Sequence, residues 1–96
     1  MPEYTLKINL QAELDLSEIY TDGFSRWGEV QADIYYDRLL KRFDQLLEQP
    51  YLYQGVDHIR AGYRRSVCGV HSIYYRINDN TVEIMRVLKL QDTSGI

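Results

Sequence analysis

Apolar and polar side chains alternate along residues 4–9, near the start of the chain. A period of two is typical of a β-strand with one buried face, so we predict a strand there. Asn9 is suited to cap a helix, because its side-chain oxygen can accept a hydrogen bond from a free backbone N–H. We therefore expect the strand to lead directly into a helix.

Two stretches with helical spacing follow. Apolar residues recur every three or four positions along residues 12–27, and Gly28 is expected to end that helix. A second apolar face runs along residues 32–47, and Pro50 ends it. Two amphipathic helices with so short a connection predict an antiparallel helical hairpin.

The C-terminal half carries three strand patterns. Residues 50–62 have no regular period and contain a proline and two glycines, which predicts a loop. Strands are predicted at residues 63–68, 71–77 and 81–90, with a tight turn at 78–80 and a frayed tail at 91–96. The order of elements predicts an α+β fold, β-α-α-β-β-β, in which the helical hairpin packs on one face of a small, mainly antiparallel sheet.

Composition narrows the class of protein. A chain of 96 residues, 45% hydrophobic and 26% charged, is expected to form one globular domain, residues 1–96. No apolar run approaches the roughly 18 residues of a membrane helix, and the first residues read as a strand rather than a signal peptide. The single cysteine excludes an internal disulfide. We therefore expect a cytoplasmic protein with no membrane partner.

Charge is unevenly distributed along the chain. Residues 11–48 hold nine of the 14 carboxylates, whereas residues 58–76 hold four arginines and no carboxylate. This asymmetry predicts an acidic end and a basic end of the fold. The net charge of −3 argues against direct nucleic-acid binding, because proteins that bind phosphate backbones usually carry basic excess.

Few residues suggest catalysis or metal binding. His71 is expected to have a structural role near a turn, and His58 is expected to be a solvated loop residue. Cys68 has no histidine partner at a recognisable spacing, so a buried apolar role is the better interpretation. No set of residues has the spacing of metal ligands. We predict no catalytic residue, no metal and no cofactor.

Several segments together resemble the ParE branch of the RelE/ParE superfamily of toxins. Residues 59–67 read Ile-Arg-Ala-Gly-Tyr-Arg-Arg-Ser-Val, where that family typically has Ile-Arg-x-Gly-x-Arg-Arg. No single segment is specific to this family, but the spacing of all the similar segments taken together is. In chain order the similar segments are residues 12–19, 26–28, 31–32, 59–67, 69–77 and 82–88.

The resemblance implies a function. ParE-type proteins are non-enzymatic toxins of type II toxin–antitoxin systems, associated with plasmid stabilisation, that poison DNA gyrase. A cognate antitoxin wraps such a toxin with its flexible C-terminal part, so we expect a hetero-oligomer with the antitoxin. The family's last strand usually continues with histidine and then Met-Asp, whereas residues 87–92 here read Val-Leu-Lys-Leu-Gln-Asp.

Two alternatives stay open at this stage. A ribosome-dependent mRNA endonuclease of the RelE type would share the fold and would use positive side chains to hold the scissile phosphate. Residues 50–62 lack lysine and no tyrosine follows Arg86, which departs from active RelE-type nucleases. The other alternative is a non-toxic member that still binds an antitoxin.

The candidate binding residues are basic and aromatic. Alternate positions on a strand share one face, so strand arginines could form a common surface. Pairing with antitoxin carboxylates or with Glu83 is the plainer interpretation. Tyr51 and Tyr53 follow Pro50 and suit a partner surface, although packing in the loop is equally compatible. The predicted surface for the target or the antitoxin comprises Arg64, Arg65, Arg76, Arg86, Lys89, Tyr51 and Tyr53.

Overall fold

A computed structural model describes residues 3–93 and 96. The strands and helices confirm the predicted α+β order, with one short addition. Residues Gln54–Gly55 form a strand inside the stretch predicted as a loop, so that prediction was wrong there; two residues are too few to show a period. In chain order the elements are β1 (Thr5–Ile8), α1 (Leu10–Trp27), α2 (Glu29–Glu48), β2 (Gln54–Gly55), β3 (Tyr63–Cys68), β4 (His71–Asn78) and β5 (Thr81–Lys89).

One residue, Gly28, connects the two helices. Its φ of 89° lies in the region that favours glycine, and its N–H donates to the Phe24 carbonyl at 3.0 Å. Its own carbonyl accepts from Ala32 at 3.0 Å, which starts α2. At the other end of α1, the Asn9 side chain accepts a hydrogen bond from Gln11 at 2.8 Å, which confirms the predicted cap.

The sheet has the strand order β1-β5-β4-β3-β2. The β2–β3, β3–β4 and β4–β5 pairs are antiparallel, and β1 alone runs parallel to its neighbour β5. The sheet is therefore mainly antiparallel, as predicted. A parallel strand pair needs a long crossover connection. Here the chain between β1 and β5, which includes the helical hairpin, forms that connection.

Apolar side chains are buried on both faces of the sheet. The larger cluster lies between the helices and the sheet and includes Leu39, Phe43, Ile73 and Tyr75. We call the opposite side of the sheet the second face; Val56, Tyr63, Tyr74 and Leu88 are buried on it, and Ile59, Met85 and Ile96 pack against them.

The tail prediction was wrong for Ile96. Its side chain packs on the second face, and its carbonyl oxygen accepts a hydrogen bond from Arg60 at 3.1 Å. The rest of the predicted frayed tail includes residues 94 and 95, which lie outside the described residues, as do residues 1 and 2. Cys68 is buried and His58 is exposed, which confirms both predictions. Across residues 3–93 and 96, no helix has the length and apolarity needed to cross a membrane.

Tyr75 secures the segment that follows α2. Its hydroxyl donates a hydrogen bond to the Pro50 carbonyl at 2.6 Å, and its ring is fully buried. Burial raises the pKa of Tyr75 from 10.0 to about 12. The fold therefore favours the neutral phenol, which keeps its hydrogen at this contact.

The pKa of Tyr75 predicts how stability depends on alkaline pH. Because the folded pKa exceeds the unfolded one, the stabilisation is complete below pH 10.0 and is lost as pH rises from there to about 12. Between pH 9 and pH 11 the free energy of unfolding should fall by about 1 kcal/mol more in the wild type than in Tyr75→Phe. Urea unfolding at several pH values measures both slopes. Equal slopes for the two proteins would contradict this role of Tyr75.

Candidate functional site

A groove of about 970 Å³ lies between the two helices and the C-terminal end of β5. We call it the hairpin groove. Its apolar lining includes Ile19, Trp27, Ala32, Val70 and Val87. Its polar lining includes Asp15, Glu18, Asp22, Arg26, His71, Arg86, Lys89 and Asp92.

Large apolar side chains stand exposed at the hairpin groove. Trp27 is 72% exposed at the end of α1, and Val70 is 63% exposed at the turn between β3 and β4. Phe24, Val30 and Ile34 are also exposed near the tip of the hairpin, but they are not among the residues that line the groove. Exposed apolar surface of this kind, bordered by polar residues, marks an interaction site more often than a free surface. The groove is thus the best candidate for a partner site.

Asp15 anchors α1 to β5 at the base of the groove. Its carboxylate accepts two hydrogen bonds from the Arg86 guanidinium, at 2.8 and 2.9 Å, and a third from the Val87 N–H at 2.9 Å. Asp15 is only 8% exposed. The hydrogen bond to Asp15 raises the pKa of Arg86, so the guanidinium keeps its charge. The pair fixes one helix against the last strand.

Tyr35 and His71 fix the other side of the groove. The Tyr35 hydroxyl lies 2.5 Å from Nδ1 of His71 and accepts a hydrogen bond from the Val70 N–H at 3.1 Å. The turn at Gly69 packs tightly against the Tyr35 ring. Gly69 has a φ of +62°, and a Cβ atom added there would lie 2.6 Å from that ring. His71 therefore has the structural role near a turn that the sequence predicted.

The protonation of His71 follows from its surroundings. Burial lowers the pKa of His71 and Lys89 lowers it further, while Asp15 and Asp22 act in the opposite direction. The Tyr35 hydroxyl has one hydrogen and two acceptors within reach, Nδ1 of His71 at 2.5 Å and the Cys68 carbonyl at 3.3 Å. In the tautomer whose Nδ1 accepts that hydrogen, a neutral ring carries its proton on Nε2. His71 lines the groove, although it is largely buried.

The predicted basic surface is divided between two faces of the sheet. Arg65 and Arg76 lie on the second face, because Arg65 pairs across the strands with Tyr74 and Arg76 with Tyr63. The Arg76 guanidinium donates to Glu83 at 2.8 Å, which confirms the plainer interpretation given for it. Arg86 is held by Asp15, as described above.

Arg64 has a structural contact of its own on the opposite face. Its guanidinium donates to the Tyr53 carbonyl at 2.7 Å and to the Tyr51 carbonyl at 3.5 Å, and it stacks on the Tyr51 ring at 4.9 Å. Arg42 braces the same segment by stacking on Tyr53 at 5.6 Å and donating to the Val67 carbonyl at 2.7 Å. The idea that Arg64 and Arg65 share one surface was wrong, because neighbouring strand residues face opposite sides.

Comparison with protein families decides the identity of the chain. Residues 6–92 match the family described as the ParE toxin of the type II toxin–antitoxin system parDE. The chain belongs to this ParE toxin family. This confirms the resemblance, and the protein is accordingly a toxin of the type II toxin–antitoxin class.

Curated relatives of this ParE-family toxin carry the same family name. It is 38% identical to Toxin ParE1 of Caulobacter vibrioides over 82 residues, which cover 85% of this chain and 84% of that protein. It is 35% identical to Toxin ParE1 of Mycobacterium tuberculosis over 78 residues, which cover 80% of each chain.

Solved structures share the fold. A chain of the chromosomal ParDE system from P. aeruginosa superposes with a TM-score of 0.82 at 18% identity, covering 95% of this chain and all of that one. A chain of the RelBE2 toxin–antitoxin complex from Mycobacterium tuberculosis superposes with a TM-score of 0.65 at 24% identity, covering 93% and 99%. These likenesses confirm the α+β arrangement of two helices on a five-stranded mixed sheet.

Some groove residues of this ParE-family toxin escaped the sequence analysis. Trp27 was assigned to the apolar face of the first helix, although its position just before Gly28 gave a signal that it lies at the tip of the hairpin. Asp15 was counted among the acidic residues, and no local pattern indicates a partner 71 positions away. Among residues 3–93 and 96, no three His, Cys, Asp or Glu side chains cluster as metal ligands.

The burial of the Asp15–Arg86 pair predicts that removing the Asp15 carboxylate lowers the stability of the fold strongly. Asp15→Ala leaves a mostly buried guanidinium and the Val87 N–H without their acceptor, so the free energy of unfolding should fall by about 3–5 kcal/mol. Replacing both partners, in Asp15→Ala/Arg86→Met, should recover part of that loss. Urea unfolding of each variant gives these values.

Asp22 provides the matched control for Asp15. It also pairs with an arginine, Arg26, at 2.9 Å, but both side chains are more than half exposed. Asp22→Ala should therefore cost less than about 1 kcal/mol. Similar losses in the Asp15 and Asp22 variants would show that burial does not decide the strength of these pairs.

Proposed function

We propose that this toxin inhibits DNA gyrase by binding it, without catalysing a reaction, and that a cognate antitoxin neutralises the toxin by filling the hairpin groove. The observation that carries the antitoxin half of this proposal is the groove itself, which is lined by apolar and charged side chains and has Trp27 exposed in its lining. The family membership carries the gyrase half, since ParE-type toxins resemble one another in poisoning gyrase. The whole chain, residues 1–96, would act as one toxin domain in the cytoplasm, where gyrase and DNA are found.

The shape of the groove supports a helical segment of the antitoxin as its occupant. Helix-in-groove recognition places the apolar stripe of an amphipathic helix on an apolar floor, and the hairpin groove offers such a floor. The similar structures from P. aeruginosa and M. tuberculosis are described as ParDE and RelBE2 toxin–antitoxin systems. A hetero-oligomer of toxin and antitoxin follows from this proposal.

The arrangement of the arginines favours binding over RNA cleavage. Metal-free cleavage of a phosphodiester needs positive side chains that are free to stabilise the charge of the transition state. Here the Arg76 guanidinium is paired with Glu83, and the Arg86 guanidinium is paired with Asp15. Arg64 donates to backbone carbonyls. These contacts leave less positive charge for a phosphate than the sequence alone suggests.

Expression of the toxin without antitoxin tests its target. We expect growth arrest, accumulation of gyrase-cleaved DNA and an SOS response, and relief of all three when the antitoxin is co-expressed. Purified gyrase and plasmid DNA should give the same cleaved product on addition of the toxin. Cleaved mRNA with arrested translation would contradict gyrase inhibition in favour of a ribonuclease. Unimpaired growth with tight antitoxin binding would indicate a non-toxic member.

Trp27 tests the groove as the antitoxin site. Trp27→Ala removes a large exposed side chain of the groove, so antitoxin affinity should fall by at least about 30-fold while stability changes by less than about 1 kcal/mol. Phe24→Ala is the control, because Phe24 is also exposed but does not line the groove. Isothermal titration calorimetry measures the affinities. Equal affinities of both variants and the wild type would contradict groove binding.

A further inference from the structure

Most charged side chains of the hairpin groove neutralise one another. Asp15 pairs with Arg86 at 2.8 Å, and Asp22 pairs with Arg26 at 2.9 Å. Asp92 also lines the groove and interacts electrostatically with Arg86. An ion pair within the toxin offers a partner little net charge. The electrostatic character of the groove therefore depends on the charges outside these pairs.

Two opposite charges of the groove form no ion pair with any residue in the described ranges 3–93 and 96. Glu18 is exposed on α1, and Lys89 is exposed at the end of β5. The helix wall of the groove thus presents a carboxylate, whereas the strand wall presents an ammonium group. A partner that fills the groove meets both of them.

His71 adds a polar group to the strand wall. It stands directly opposite Lys89 in the pairing of β4 with β5, and it lines the same groove. The Tyr35 hydroxyl contacts Nδ1 of the ring at 2.5 Å, and in the tautomer whose Nδ1 accepts from it the Nε2–H is left as a donor. Two donors side by side, one of them charged, are suited to a carboxylate.

We propose that the groove selects an amphipathic antitoxin helix by its charge polarity: one flank of the helix presents a basic side chain to Glu18, and the other flank presents a carboxylate to Lys89 and His71. This inference rests on the proposed antitoxin site and names the chemistry that the site recognises. The apolar stripe of the helix covers the floor between the two walls.

Charge polarity of this kind fixes the direction in which the helix lies. An amphipathic helix turned end for end keeps its apolar stripe on the floor but exchanges its two flanks. The reversed helix would place acid beside Glu18 and base beside Lys89, and juxtaposed like charges disfavour a wrong partner or orientation. Apolar burial supplies affinity, whereas Glu18 and Lys89 supply specificity.

Charge reversal tests the proposal with the full-length toxin and the purified antitoxin encoded beside it. Lys89→Glu and Glu18→Lys should each weaken binding by about tenfold or more at physiological ionic strength, with a smaller loss in high salt. Lys41→Glu is the matched control, because Lys41 is an exposed lysine of α2 that does not line the groove. It should change the affinity by less than about twofold.

His71 is tested with two substitutions that separate its nitrogens. His71→Asn retains an acceptor near the position of Nδ1 for Tyr35 but loses the donor at Nε2, so it should weaken binding by about fivefold or more. Tyr35→Phe removes the hydroxyl that holds Nδ1 and leaves the donor, so it should affect thermal stability more than affinity. Thermal unfolding of every variant checks that it is folded.

The outcomes separate this inference from the proposed function. If the wild type does not bind the antitoxin, both are overturned. If Trp27→Ala abolishes binding while Lys89→Glu and Glu18→Lys bind like Lys41→Glu, the groove is the antitoxin site but its charge polarity is irrelevant, and the inference alone fails. A toxin homodimer that Lys89→Glu dissociates would also overturn it, because the groove would then accept a second copy of the chain.

Discussion

The attachment of α1 to β5 through Asp15 is the constraint on which the rest of the structure depends. One buried carboxylate accepts three hydrogen bonds, two from the Arg86 side chain and one from the backbone of Val87. A carboxylate taken out of water needs such a complete set of donors, and this requirement fixes where the helix crosses the strand. The helical hairpin is thereby held against one end of β5, and the open space beside that contact is the hairpin groove.

The distribution of charge along the chain favours this contact between α1 and β5. The helices are acidic and the C-terminal strands are basic, so their contact would by itself place carboxylates near arginines. Within the groove, pairing neutralises Asp15, Arg86, Asp22 and Arg26 and leaves exposed charges of opposite sign on the two walls. The charges that these folding contacts leave exposed are therefore Glu18 on the helix wall and Lys89 on the strand wall.

Local patterns in the sequence were sufficient for most of the fold. The helical period, the capping residue Asn9 and the connecting Gly28 depend on neighbours within a few positions, and the structure has all three as expected. Strand β2 was missed because two residues have no period, and its pairing with β3 depends on a distant strand. The candidate site was harder to predict. Arg64 and Arg65 are adjacent in sequence, yet one donates to backbone carbonyls and the other lies on the second face.

The sequence by itself determined the order of the elements, the helical hairpin, the mainly antiparallel sheet and, through its joint motifs, membership of the ParE toxin family. These properties are local or are spread along the chain in a fixed order, so they can be read without coordinates. Only the tertiary structure decided that Trp27 stays exposed, that Arg86 is engaged by a carboxylate from the first helix, and that Glu18 and Lys89 line one groove. Residues separated by about 70 positions meet only after the whole chain has folded, because burial and pairing are properties of the assembled core rather than of any segment.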